Sequence, residues 1–120
     1  MPIPDLLTGR LAIPAIGAPM FLVSFPPLVK ALCQAGVVGT FPHVNARPSA
    51  QLDEWLGTLR AELDAYAAAH PQACVAPFGV NLVCHHTNPR FLPDLAVVVK
   101  HRVPLVLTSL GNPGPVADAV

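Results

Sequence analysis

The chain has 120 residues, 52% of them hydrophobic and 12% charged. Seven Lys and Arg balance seven Asp and Glu, so the formal net charge is zero. That balance gives no electrostatic reason to expect DNA, RNA or an anionic membrane as partner, and no apolar run is long enough for a transmembrane helix.

The N-terminus, "MPIPDLLTGR", carries an acid, two prolines and no basic start before an apolar core, so it does not read as a secretion signal. Residues 11–16 are a short apolar run and predict a first strand, with Ile13, Ala15 and Ile16 as its buried positions. The strand then thins to Gly17, Ala18 and Pro19 before turning large again at Met20, Phe21 and Leu22. Residues 26–35 predict a helix with Pro26 and Pro27 in its first turn, Leu28, Leu32 and Ala35 on its apolar face, and Gly36 as its stop. "VVGTF", 37–41, predicts a second strand ended by Pro42.

"HVNARP" reads as a loop, and Ser49 as the N-cap of the longest helix, 50–69, whose Leu52, Leu56, Leu59 and Leu63 recur at three and four. Its Asp53, Glu54, Arg60, Glu62 and Asp64 read as a solvated outer face. A third strand is expected over 74–84 and a third helix over 91–101. A fourth strand follows over 105–110, and a fourth helix starts at 115. The fifteen prolines mostly punctuate segment edges, where proline costs least.

The order is β-α-β-α-β-α-β-α, with continuous apolar strands, as expected of a parallel sheet covered by helices. An open doubly wound sheet and part of a (β/α)8 barrel both satisfy it. "PVADAV" opens a helix with no visible stop, and four βα units are half of a barrel that takes about 250 residues. A truncated chain is therefore expected. A self-contained four-stranded sheet would expose long apolar edges and self-associate through them.

In either architecture ligands gather at the C-terminal strand ends. Those ends carry Gly17, Ala18, Pro19 and Met20; Thr40 to His43; Asn81, Cys84, His85 and His86; and Thr108, Ser109, Gly111 and Asn112. Small residues at a strand end let a flat ligand lie against the backbone, with Met20 as an adaptable wall. The competing reading of 17–19 is a tight strand-to-helix turn, and that of Asn81 a structural amide.

Cys84-His85-His86 invites a zinc reading, but neighbours on an extended chain point to opposite sides and no second Cys/His pair completes a set. No metal is expected. Cys33, Cys74 and Cys84 form no CxxC pair and read as free thiols of a cytoplasmic protein.

"IPAIGAPM" (13–20), "VSFPPLVKALCQAGVVGTF" (23–41), "PFGVNL" (77–82) and "VPLVLTSLG" (103–111), in this order and spacing, resemble the nitronate monooxygenase family, formerly 2-nitropropane dioxygenases. The resemblance covers nearly the whole chain. Related FMN barrels such as flavin-dependent enoyl reductases share much of the pattern. It implies that residues 1–120 are the N-terminal part of an FMN-binding TIM barrel, β1-α1 to β4-α4. It implies flavin-ring contacts at Ala18, Pro19, Met20 and Asn81, with Thr108 a weaker addition and His85 a pocket contact at most. The implied reaction, expected of the full-length barrel and not of these 120 residues alone, oxidises an alkyl nitronate with O2 to a carbonyl compound and nitrite; another FMN barrel reductase, acting on an enoyl or quinone substrate, is an alternative. The family's phosphate loops and histidine base are implied to lie beyond residue 120. Gly17, Phe21 and Leu22 depart from the commoner family pattern, which has Gln at the first and small residues at the other two, so the substrate wall differs. A non-enzymatic α/β binding module is the competing class.

Overall fold

Apolar segments separated by prolines and glycines fold, in a computed structural model describing residues 2–120, into four consecutive βα units. These are β1 (Ile16–Gly17), α1 (Pro26–Gln34), β2 (Val38–Pro42), α2 (Ser49–Ala69), β3 (Phe78–Val83), α3 (Phe91–Lys100), β4 (Leu105–Ser109) and α4 (Gly114–Ala119). A single 3-10 turn, His43–Asn45, links β2 to α2. No helix among the described residues is long and apolar enough to cross a membrane.

The strands pair in parallel in the order β1-β2-β3-β4. This order decides between the two architectures. A doubly wound sheet reverses its strand order at a switch point; here each strand is added beside its predecessor. Crossovers of one hand then put the helices on one face, as in a barrel wall.

The helix-facing side of the sheet is the main core. Phe41, Phe78, Val80 and Leu82 meet Val29 and Cys33 of α1, Leu52, Leu56, Leu59 and Leu63 of α2, and Leu95 and Val98 of α3. The α2 leucines all lie buried, as their spacing predicts. On α1 the expected stripe is displaced: Val29 and Cys33 are buried, Leu28 and Leu32 only partly, and Ala35 is exposed. Gly39 explains why α1 sits so close, since a Cβ there would lie 2.5 Å from the Val29 carbonyl oxygen. Gly36, at φ +78°, turns the chain out of α1 into β2.

Three further expectations are corrected. The first strand is not 11–16 but two residues, with Ile13 and Ile16 exposed. Pro14 has no N–H to give a ladder, and the Ala15 N–H turns back onto the Ile13 carbonyl. Ser49 is not the N-cap of α2; Pro48 is, and Ser49 is the first helical residue. The third strand starts at Phe78, after Pro77, rather than at Cys74.

The opposite, concave face carries Val38, Thr40 and Pro42 of β2, Gly79, Asn81 and Val83 of β3, and Leu105, Leu107 and Ser109 of β4, by register and alternation. At its N-terminal end a turn over residues 5–10 lays Leu7 against Val38, Ala76, Leu11 and Leu105.

Candidate functional site

Pro42 pairs with Asn81, and Asn81 with Leu107. β1 ends at Gly17, level with Gly39, and the chain leaves it toward the end of the sheet where Pro42 pairs with Asn81. The stretch 18–20 and Asn81 therefore stand at the same end of the sheet, with β2 between them. Only the side chains of Thr40 and Pro42 rise between them on the concave face. Thr40 is buried and donates its hydroxyl to the Gly17 carbonyl, tying β1 to β2 at this level.

Gly17 itself faces the helices: a Cβ there would run into Leu32. Its smallness serves the packing of α1. Of the thinned residues, Ala18 is the one whose position in the alternation faces the concave side, where it is exposed.

The loop 18–25 is held by two buried polar residues. Ser24 Oγ accepts from the Met20 N–H at 2.9 Å. Asn45, on the 3-10 turn, accepts from the Leu22 N–H at 2.9 Å. Its amide nitrogen donates to the carbonyls of Met20 at 3.1 Å and Ser24 at 2.9 Å. Both polar groups of the Met20 backbone are therefore taken. A ligand here meets Ala18, the Pro19 carbonyl or the Met20 thioether, not the Met20 N–H. The clamped loop presents Met20, Phe21, Leu22 and Val23 to solvent, each 44–59% exposed. Arg47 closes one side, its guanidinium 5.8 Å from the Phe21 ring centroid and its Nε donating to the Val44 carbonyl.

Asn81 is 9% exposed, and its amide pairs with the Ser109 hydroxyl at 3.2–3.3 Å. An amide has two N–H donors and two lone pairs, so one of each remains for a ligand. Thr108 pairs with Leu82 and so lies on the helix-facing side, away from Asn81; Ser109 is the β4 residue that reaches it. His85 is exposed and engaged within its own loop. Its Nδ1 accepts from the Thr87 N–H, and its ring packs on His86 with centroids 4.3 Å apart. No group of three His, Cys, Asp or Glu among the described residues could hold a metal.

Sequence reasoning passed over a buried network behind the site. His43 and Asp94 have no exposed side-chain surface and meet at 2.5 Å. Asn88 is oriented by two backbone contacts, donating to the Val83 carbonyl and accepting from the Arg90 N–H. Its amide nitrogen also faces His43 Nε2 at 3.2 Å. Nε2 is therefore the acceptor, and Nδ1–H donates to Asp94. Ser49 donates to the other Asp94 oxygen, and Arg90 lies 2.7 Å away as an ionic contact rather than an aligned hydrogen bond. This network fastens the 3-10 turn to the starts of α2 and α3.

The four strand-to-helix loops, 18–25, 43–48, 84–90 and 110–113, carry no acidic residue and five basic or imidazole ones: His43, Arg47, His85, His86 and Arg90. A groove of about 390 Å³ lined by Arg10, Arg60, Asp64 and His70 lies at the other, N-terminal end of the strands, remote from this chemistry.

No protein-family model matches the sequence, and no curated protein does. Among solved structures, FabK from Thermotoga maritima is similar, with a TM-score of 0.70 and 26% identity over 92% of this chain and 30% of that one. A single-substitution mutant of the same protein gives a TM-score of 0.71 and 26% identity, over 93% of this chain and 33% of that one. The fold is part of a TIM barrel. The chain spans about a third of the length of the FabK chains it matches.

Proposed function

We propose that these four units carry the ring-side half of a flavin site in an FMN-dependent oxidoreductase barrel whose reaction is nitronate oxidation. What supports this reading is that the 18–20 stretch leaves β1 at the same end of the sheet as Asn81, with Ala18 on the concave side. The residues present fit the flavin ring: a small residue at 18, a polarizable wall at 20, and an amide at 81 with a donor and an acceptor to spare. They do not supply a phosphate seat, which the sequence resemblance assigns to later units.

When bound, FMN supplies the electron-transfer chemistry, and the protein's part is placement. Asn81, braced by Ser109, orients the ring through its amide. Ala18 and Pro19 let the ring approach the backbone. The exposed apolar side chains of Met20 to Val23 keep water from one side of the pocket mouth. A nitronate anion approaching this end meets a rim without carboxylates and with Arg47 uncompensated, which favours its charge. His43 is committed to Asp94 and Asn88 and is not offered as the base.

The likeness to FabK favours a second reading, an FMN-dependent enoyl reductase on the same scaffold. FMN titration, followed by the visible flavin bands, tests the cofactor. Release of nitrite from an alkyl nitronate under O2 supports the first reaction, and flavin-dependent reduction of an enoyl thioester without nitrite replaces it with the second. A stable monomer indifferent to FMN favours a binding module over both. A cytoplasmic setting, with Cys33, Cys74 and Cys84 free, belongs to the same proposal.

A further inference from the structure

We infer that Asn45 is a positioning residue: it sets the shape of the β1–α1 loop, and through that loop the floor on which Ala18, Pro19 and Met20 receive a ligand. The ligand part of this inference rests on the flavin reading above; the loop part does not.

The argument begins with what the loop lacks. Within residues 18–25, Met20, Phe21, Leu22 and Val23 are all exposed, so apolar burial does not shape the tip of the loop; its anchored end is Phe25, edge-on to Trp55. Leu22 is moreover held at φ +58°, a left-handed conformation that is unfavourable for a residue carrying a Cβ. Such a loop relaxes unless something outside it fixes it.

Asn45 does so from 20 or more residues away, with three hydrogen bonds in which every contact of its amide goes to this loop. One bond takes the N–H of the strained Leu22. The other two take the carbonyls of Met20 and Ser24, at the start and close of the turn. Asn45 is 6% exposed and belongs to the turn that His43 anchors through Asp94 to α2 and α3. The anchoring runs from helix starts to the 3-10 turn, from the turn to the loop, and from the loop to the ligand floor. All three bonds of the amide go to loop backbone, which makes it a positioning group rather than a contact.

The experiment compares the full chain with Asn45→Ala and, as a second route to the same loop, Ser24→Ala. Amide hydrogen exchange is read by peptide, and FMN affinity and visible bands by titration. We expect exchange in residues 20–25 to rise about tenfold or more, the loss of at least one hydrogen bond. Peptides from β2 and β3 should keep their protection. FMN affinity should fall about tenfold with a shift of the bound visible bands. Exchange rising equally across β2 and β3 overturns the inference, because Asn45 is then a general structural residue. Unchanged exchange in 20–25 overturns it as well. If the parent chain binds FMN and both variants keep its affinity and spectrum, the positioning role is overturned. If the parent chain binds no FMN but exchange rises only in the loop, the flavin reading fails and the latch stands.

Discussion

The two faces of β3 are built on opposite rules. Phe78, Val80 and Leu82 enter a dry layer shared with three helices, while Gly79, Asn81 and Val83, interleaved with them, face the concave side. One face is closed by large apolar side chains at near-crystalline density. The other mixes Thr40, Gly79, Asn81 and Ser109 with smaller apolar contacts such as Val38, Leu105 and Leu107. A strand can serve both because its side chains alternate. Packing therefore concentrates on one side of the sheet and, on the proposed reading, ligand contact on the other, and substitutions should separate them.

The largest effect is expected behind the site. Asp94→Ala strips His43, Ser49 and Arg90 of their common partner and should cost about 3–5 kcal/mol in urea unfolding. Leu82→Ala, on the helix-facing side, should cost about 2–5 kcal/mol. Leu107→Ala, on the concave side and only partly buried, should cost about 1 kcal/mol; a loss as large as that of Leu82→Ala would erase the contrast. Asn81→Ala should change the unfolding midpoint little while weakening FMN binding, read by flavin fluorescence.

The smallest effect is on the outer surface. Lys100 and His101 hydrogen-bond Asp53 and hold its carboxyl below the usual carboxylate range. A lowered folded value means that stability from Asp53 is fully present above its unfolded pKa, about 3.9, and is lost as pH falls through the lower folded value. Asp53→Asn should therefore lower the midpoint slightly at neutral pH, leave it unchanged at pH values below the folded value, and so flatten the acid limb of a midpoint-versus-pH series.

Much of the fold was legible. Leu52, Leu56, Leu59 and Leu63 declare α2 because their spacing is a local property of a helix. The βα alternation was legible for the same reason. The strand order, which separates a barrel wall from a doubly wound sheet, was not, since it depends on which strands meet. Residues 11–15 misled because an apolar run reads as a strand even where Pro14 denies it a ladder. Ala18 to Met20 and Asn81 are proposed for the site through a motif resemblance, whereas Asn45 was passed over and His43 was noted only as a strand-end residue, without its buried partners. Their roles arise from partners 21–51 residues away, and nothing in "HVNARP" distinguishes a latch from a loop. Thr108 and Ser109 were separable only by register, which decides the face of a side chain.

The turn that lays Leu7 over Val38 and Leu105 works as a stopper. A curved wall plugged at its base is a cup, not a pipe. The open end of this wall is therefore the rim that carries Met20 to Val23 and Arg47, and on the proposed reading a ligand comes and goes on that side.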